Sequence, residues 1–316
     1  DACETLMGEG KYALVSDPAK VATQYRSLFT SESVASGEVI WARAYDASLN
    51  ATHILNTYFV NMQYGSYSLT RQFVNTYLNR DGSRFTDKAG YEKTLFADEF
   101  ENRDYRLMQS IRYPGYTRRN NNVDTPYAPD FGYCVTGYQP IKWVIDDTSM
   151  DSNTAPCATC IPILRYAEVL LNEAEAAARA GDKTLALEKL NQVRDRSLAD
   201  PATQTYKAGD FANTKALVEA ILWERRIEFQ GEGRRWEDIH RLAADDLLPS
   251  GGIPAKIEYN NVKNQGAFVV GGEVKAEWFG NSKQFIPYTD KRFIWPIPLN
   301  DILRNPTLAA QQNAGW

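Results

Sequence analysis

The densest run of ionisable side chains in the sequence extends from Glu224 to Leu242, with five arginines, four glutamates and one aspartate. Such residues serve in catalytic centres, in anion sites and in buried networks of ion pairs. Catalysis would need a base of tuned pKa, a nucleophile or a metal nearby, and the one histidine of the run is His240. Buried arginines need carboxylate partners, because an unpaired buried charge is strongly destabilising. The composition therefore favours a structural network over a catalytic centre.

Spacing predicts which residues of the run form that network. Arg225 and Glu228 lie three residues apart and can pair on one face of a helix, as can Arg235 and Asp238. The predicted network consists of Arg225, Glu228, Glu232, Arg235 and Asp238. No catalytic residue is predicted.

Two aromatic segments in the middle of the chain are the candidates for ligand binding. Asn56 to Leu69 mixes tyrosines with Asn, Gln and Gly, and Tyr127 to Tyr133 places Asp130 beside Phe131. Aromatic rings stack on the apolar faces of sugars, while amide and carboxylate groups bind the hydroxyls. Packing within the loops is the alternative interpretation of each tyrosine. The candidate ligand-binding residues are Tyr58, Asn61, Tyr64, Tyr67, Tyr127 and Phe131.

Cys157 and Cys160 have the Cys-x-x-Cys spacing that occurs in redox motifs, in halves of zinc sites and in local disulfides. The sequence has no second such pair, and no βαβ pattern of thioredoxin type surrounds this one. On a cell surface a disulfide between the two cysteines is chemically permitted, and it is favoured over a metal site.

No metal or cofactor site is assigned from the sequence. The run from Asp147 to Asn153 has the alternating oxygen ligands with which an EF-hand loop begins, but Ser152 stands where that loop requires glycine. The run is therefore predicted to be a solvated turn. A structural calcium ion elsewhere in the fold stays open.

The elements that position these residues differ between the two halves of the chain. Residues 1–30 are predicted to be helical and residues 36–45 to form a strand with Trp41 in the core. From there to residue 162 the frequent Gly, Asn, Asp and Pro predict long loops, with strand-like pieces at Tyr105 to Arg112 and at Gly132 to Val144. Loops this long in a globular protein are usually functional.

A helical scaffold follows the loops. Helical periodicity predicts helices from Ile163 to Ala180, from Thr184 to Arg196 and from Asn213 to Phe229, the first two joined by a Gly-Asp turn. Leu164 and a series of small alanines lie on the inner stripe of the first helix. This arrangement is typical of tetratricopeptide repeats.

Composition excludes two classes of partner. The net charge is -5 among 316 residues, without a long basic run, so a nucleic-acid partner is not expected. No window approaches the roughly 20 consecutive apolar residues of a membrane-spanning helix. The 43% hydrophobic content is sufficient for a large core.

Several segments together resemble the SusD/RagB-like family. In chain order the landmarks are RYAEVLLNEAEA, NQVRDRS, ERRIEFQGEGRRWEDIHRL and FIWPIPLNDILRNPTLAAQQNAGW, and YRSLFT, SGEVIWAR and FVNTYLNRDGSRF resemble earlier family segments. Arg234 replaces the usual histidine and Ala314 the usual proline, and neither position is expected to touch a ligand.

The resemblance implies a mainly α-helical fold with a tetratricopeptide-like scaffold, a large loop-rich region and short strands. It implies one domain over residues 1–316: the end of a helical arm in 1–30, ligand-binding loops in 31–162, repeat-like helices in 163–245 and a C-terminal loop region in 246–316. The N-terminal part of the family fold is expected to be absent from this chain. The N-terminal lipid anchor, which is the expected attachment to the membrane, is also expected to be absent from this chain.

The implied function is capture of an oligo- or polysaccharide at the surface of the outer membrane and its delivery to a SusC-like TonB-dependent transporter. The resemblance does not imply an enzyme, and no pair of carboxylates has a spacing that indicates glycoside hydrolysis. The alternatives are capture of peptides by the same loops and an adaptor that binds a protein partner through its helical repeats.

Overall fold

The computed structural model describes residues 2–34, 37–61, 64, 67–130, 134, 136–152, 156–198, 204–244, 266–269, 272–273 and 296–312. Phe131, Trp295 and most of the predicted C-terminal loop region lie outside these residues. The helices are α1 (Ala2–Gly8), α2 (Gln24–Thr30), α3 (Leu55–Val60), α4 (Arg71–Val74), α5 (Tyr105–Ser110), α6 (Tyr166–Ala180), α7 (Lys183–Asp195), α8 (Thr214–Glu228), α9 (Arg234–Ala244) and α10 (Leu299–Arg304). The strands are β1 (Val39–Arg43), β2 (Thr117–Asn120), β3 (Val123–Pro126), β4 (Ile161–Arg165), β5 (Phe268–Val269) and β6 (Gly272–Glu273).

Helices α6, α7 and α8 form the scaffold that periodicity predicts. Helix α6 ends at Gly181 in the left-handed conformation, with φ of 91°, and the side chain of Asp182 accepts a hydrogen bond from Leu185 N at 3.0 Å to start α7. Their common core consists mainly of small and branched aliphatic residues, including Ala167, Leu171, Ala174, Leu190, Val193, Leu217 and Ile221. The small alanines allow the helix axes to approach closely.

The predicted start of the first scaffold helix is wrong. Residues from Ile161 to Arg165 form strand β4, and the helix begins only at Tyr166. Leu164, predicted on the inner stripe, is 39% exposed. The backbone N–H of Tyr166 donates to Glu38 O at 2.8 Å, so pairing between distant segments determines where the helix begins.

Strand β1, predicted from the sequence, pairs antiparallel with β4. The prediction that Trp41 lies in the core is wrong, because its side chain is 59% exposed. The register shifts on both sides of Trp41, and of the β1 residues only Val39 packs against the core formed with Phe29 and Trp143. One face of this two-stranded sheet is covered by the core, and the side chain of Trp41 lies on the uncovered face.

The middle of the chain contains short helices as well as loops. The predicted strand at Tyr105 to Arg112 is wrong, since α5 occupies most of it. Asp104 begins the helix by accepting a hydrogen bond from Arg106 N at 2.8 Å. Leu107 and Gln109 are both buried, so this helix has no polar face to give the periodicity that sequence analysis detects. The first thirty residues are only partly helical, in α1 and α2.

Candidate functional site

A concave cavity of about 400 Å³ lies where several segments of the middle region meet. The segments are the end of helix α3, the β2–β3 hairpin with the loop that follows, and the short turn that ends at Asp151. Among the described residues the lining is Val60, Asn61, Arg112, Arg118, Pro126, Tyr127, Ala128, Asp130, Gln139 and Asp151. We call this site the Arg112 cavity.

The β2–β3 hairpin supplies one wall of the Arg112 cavity. Its two central residues, Asn121 and Asn122, have φ of 49° and 64°, the left-handed conformation that a tight two-residue hairpin turn requires. Asparagine tolerates this conformation better than most residues. The turn sets the register in which Arg118 opposes Thr125, and Tyr127 follows directly after β3.

Arg118 is held rigidly by a carboxylate. Its Nη1 and Nη2 donate to the two oxygens of Asp151 at 2.7 and 2.6 Å, and Nη2 also donates to Ile145 O at 2.8 Å. Burial acts to lower the pKa of Arg118, but the hydrogen bonds and charge of Asp151 outweigh it and raise the pKa. The pair is neutral, and it joins the hairpin to the turn before Ser152.

Arg112 is buried with weaker partners. Its side chain is 3% exposed, its Nη1 donates to Ala128 O at 2.9 Å, and its Nε has no hydrogen-bond partner in the described part of the chain. No carboxylate among the described residues lies within ion-pair distance of Arg112, and burial lowers its pKa. This guanidinium keeps unused capacity to bind a negative or polar group.

Tyr127 lies beside both arginines. The guanidinium carbons of Arg112 and Arg118 are 5.0 and 5.2 Å from its ring centroid, within the range of cation–π attraction. The ring is half-buried, and it packs against a cluster that includes Val60 and Tyr116. Its orientation is therefore determined before any ligand binds.

The structure brings only part of the predicted ligand-binding set together. Asn61, which ends α3, and Tyr127 both line the Arg112 cavity although they are far apart in sequence. Tyr58 and Tyr64 contact each other outside the described lining, with ring centroids 5.4 Å apart, and Tyr67 is 49% exposed against Phe59. Phe131 lies outside the described residues.

Sequence analysis missed both arginines of the site, together with Gln139 and Asp151. Arg112 lay in a segment predicted as a strand, and Asp151 in a segment predicted as a solvated turn. The turn exists, since Asp147 accepts a hydrogen bond from Ser149 N at 2.9 Å, but its Asp151 binds Arg118. No local pattern pairs two residues that are 33 positions apart.

A buried ion-pair network lies in the described core, but of the five residues predicted for it only Glu228 and Glu232 belong to it. Glu228 is fully buried and accepts hydrogen bonds from Arg106 at 2.7 Å, from Arg165 at 2.6 Å and from Arg196. Five cationic side chains and five carboxylates take part: Arg106, Lys142, Arg165, Arg194, Arg196, Glu38, Asp104, Glu224, Glu228 and Glu232. We call this group the Glu228 network.

The pairs predicted from spacing are wrong. Arg225 binds Asp238, with Nη2 to Oδ1 at 3.0 Å, instead of Glu228 on its own helix. Asp238 also pairs with Arg241 at 2.9 Å, whereas no ion pair to Arg235 is present among the described residues. Spacing of three residues permits a pair, but helices α6, α8 and α9 pack so that carboxylates reach partners on other elements.

Electrostatics support a structural role for the Glu228 network. Burial acts to raise the pKa of Glu228, but Arg196, Arg165 and Arg106 hold the pKa well below its ordinary value. Burial lowers the pKa of Lys142 to about 8, against the opposing effect of Glu232, which accepts its hydrogen bond. Each of the ten groups in the network has an oppositely charged partner and almost none is exposed, which favours a structural role, although both Nη atoms of Arg194 and Nε of Arg196 lack a hydrogen-bond partner among the described residues.

The predicted Cys157–Cys160 disulfide is wrong, since both are free thiols in the structure. Cys157 forms an antiparallel bridge with His53, and its Sγ lies 3.3 Å from Nδ1 of that histidine. Cys160 Sγ donates to Glu32 O at 3.2 Å. The segment runs on into strand β4, and side chains three positions apart on such a segment project to opposite faces, too far apart to join.

Two features are absent from the described residues. No three His, Cys, Asp or Glu side chains among them are arranged to hold a metal ion. None of the described helices has the length and apolar character needed to cross a bilayer.

Solved structures show the same fold. The chain aligns over its whole length with 60% of a SusD-like protein from Bacteroides fragilis, with a TM-score of 0.68 and 22% identity. Surface glycan-binding protein A from Bacteroides uniformis aligns over 99% of this chain and 55% of its own, with a TM-score of 0.51 and 21% identity. Identities this low establish the fold alone, which is the predicted mainly helical fold with few short strands.

Sequence relationships establish the family. SusD-like protein P38 of Formosa agariphila is 28% identical over 219 residues, which are 67% of this chain but only 32% of P38. The chain thus spans about a third of that relative and 60% of the Bacteroides fragilis protein. The sequence profile of the SusD family matches residues 37–316. The chain belongs to the SusD family.

Proposed function

We propose that this protein captures an oligo- or polysaccharide in the Arg112 cavity, at the surface of the outer membrane. The observation that carries the proposal is the preorganised cavity itself. Its walls are a rigid hairpin and a helix end, and it combines the half-buried Tyr127 with the amides of Asn61 and Gln139 and with two arginines. A cavity of about 400 Å³ accommodates a short stretch of sugar units.

The chemistry of the lining suits carbohydrate. The ring of Tyr127 offers apolar contact to C–H groups, while amide and guanidinium groups donate and accept hydrogen bonds with hydroxyls. The Bacteroides uniformis neighbour is named a surface glycan-binding protein, which agrees with this proposal. Capture of this kind breaks no bond and needs no cofactor, so the proposed protein is not an enzyme.

Family membership extends the proposal to location and partner. We expect the whole protein to be held at the cell surface by an N-terminal lipid and to deliver its ligand to a SusC-like TonB-dependent transporter. Co-purification of the transporter with the tagged, membrane-anchored protein would support this part. Recovery of the protein alone from detergent-solubilised outer membranes would contradict it.

The proposed capture is tested by calorimetry with a panel of polysaccharides and a peptide pool. We expect one class of glycan to bind the wild-type protein, and Tyr127→Ala to weaken that binding about tenfold or more. Tyr67→Ala is the matched control, because this tyrosine is exposed outside the described lining. Binding of peptides alone would overturn glycan capture, and equal loss in both variants would place the site elsewhere.

A further inference from the structure

The charged groups of the Arg112 cavity differ in whether they form ion pairs with each other. Two arginines and two aspartates belong to the described lining. Arg118 and Asp151 neutralise each other through two hydrogen bonds of 2.7 and 2.6 Å. Arg112 has no carboxylate within ion-pair distance among the described residues, Asp130 included.

Arg112 has little to compensate its burial. The guanidinium donates one side-chain hydrogen bond within the described chain, to Ala128 O, and its buried Nε donates none. The rings of Tyr116 and Tyr127, at 5.9 and 5.0 Å, provide cation–π attraction, which is weaker than an ion pair. A buried arginine is normally paired with a carboxylate, because its desolvation is otherwise uncompensated.

Asp130 does not fill this role. It is exposed at the rim of the cavity, and its backbone N–H donates to Gln139 Oε1 at 3.3 Å. Its distance from Arg112 leaves a positive site at the buried end and a negative group at the rim. A ligand with a negative group would therefore be oriented, with that group inward.

We infer that the Arg112 cavity takes an acidic glycan and seats a carboxylate or sulfate group of the sugar against the guanidinium of Arg112. This inference rests on the proposed capture of glycans. Guanidinium binds planar or tetrahedral oxyanions through parallel hydrogen bonds, and such charge-assisted bonds are stronger than those to hydroxyls. Tyr127 and Asn61 then contact the neutral part of the sugar ring.

The test compares matched pairs of polysaccharides by calorimetry at low and at high salt. Polygalacturonate is paired with its methyl ester, and a sulfated galactan with the same galactan after desulfation. We expect the acidic member of at least one pair to bind about tenfold or more tightly than its neutral partner. A preference within the first pair would identify the bound group as a carboxylate, and a preference within the second pair would identify it as a sulfate. High salt should reduce the difference.

Two substitutions assign the preference to one residue. Arg112→Gln should reduce it to within about twofold, and Arg112→Lys should retain part of it. Arg119→Gln removes the same charge from the neighbouring hairpin strand, where the side chain is 58% exposed, and should leave the preference unchanged. If Arg112→Gln does not fold, Asp130→Asn provides the test, because removing the rim carboxylate should tighten acidic ligands relative to neutral ones.

The outcomes separate the two proposals. Neutral glycans bound as tightly as acidic ones would overturn the inference and leave glycan capture standing. A preference that persists in Arg112→Gln would overturn it as well, because the negative group would then lie elsewhere. Absence of binding to every glycan would overturn glycan capture and the inference together.

Discussion

Two regions of this molecule are built from the same residue types and differ in how their charges are compensated. In the Glu228 network each of five cations meets a carboxylate, and Glu228 alone accepts hydrogen bonds from three arginines. In the Arg112 cavity Arg118 has a carboxylate, whereas Arg112 has only a carbonyl and two rings. The carboxylate at the centre of the first region is fully compensated without a ligand, whereas Arg112 in the second region lacks a carboxylate partner among the described residues.

The difference gives a criterion for function that the number of arginines does not give. A buried cation with a full set of acceptors stabilises the fold and has nothing to offer a substrate. A buried cation at the wall of a concave surface with acceptors missing is suited to bind one. Most arginines of the run that first suggested chemistry contact structural partners, while the candidate binding arginine lies in an unremarkable loop.

The largest expected effect is loss of the carboxylate at the centre of the Glu228 network. Glu228→Gln removes the negative charge that Arg106, Arg165 and Arg196 share and replaces one acceptor oxygen by an amide donor, so the free energy of unfolding should fall by about 3–5 kcal/mol. Urea denaturation followed by circular dichroism measures this. Glu101→Gln, an exposed glutamate, is the matched control and should change stability by no more than about 0.5 kcal/mol. Equal stabilities would show that the network contributes nothing.

Acid should reduce the difference between wild type and Glu228→Gln. Because the pKa of Glu228 is lowered in the folded state, its contribution is complete above its ordinary pKa of 4.5 and is lost as the pH falls below that value. The gap in unfolding free energy should therefore shrink between about pH 5 and about pH 3. A gap that stays constant over this range would contradict the lowered pKa.

The Arg118–Asp151 pair should matter less than the Glu228 network. Asp151 is 28% exposed, so water compensates part of the lost interaction, and Arg118→Gln should cost about 1–3 kcal/mol. A double-mutant cycle with Asp151→Asn isolates the interaction, and the double variant should be more stable than additivity predicts. Strict additivity would mean that the two side chains do not stabilise each other.

The smallest expected effect is at the rim of the Arg112 cavity. Asp130 is exposed, so Asp130→Asn should change the free energy of unfolding by no more than about 0.5 kcal/mol. The same substitution should tighten binding of polygalacturonate about two- to threefold, because one repulsive charge is removed. Calorimetry at low salt measures this, with Asp124→Asn on the hairpin as a control. Weaker binding would show that Asp130 contacts the ligand favourably.

The helical scaffold could be predicted because it is determined locally. Leu171, Ala174 and Leu190 recur at helical spacing, and Gly181 ends α6 as its conformation requires. Helix α5 could not be predicted, since its residues are buried on several sides and show no amphipathic period. Trp41 was misplaced because the register of β1 shifts on both sides of it, and the sequence does not predict such a shift.

The candidate site was predicted only where local composition indicates it. Asn61 and Tyr127 were found because aromatic and amide residues in a loop-rich segment are a compositional signal. Arg112, Arg118 and Asp151 carry no such signal. Their roles depend on which atoms lie next to them in the folded chain. Those atoms belong to residues that are tens of positions away in the sequence, and sequence spacing does not identify them.

By itself, the sequence determined the scaffold helices, the loop-rich middle, the presence of a buried ion-pair network and the resemblance to the SusD family. These follow from local periodicity, composition and motifs. Only the tertiary structure decided that Arg225 binds Asp238, that Cys157 faces His53 and away from Cys160, and that Arg112 lies in a cavity without a carboxylate. Partners of a charge or a thiol are set by packing between distant segments, and packing is a property of the folded chain.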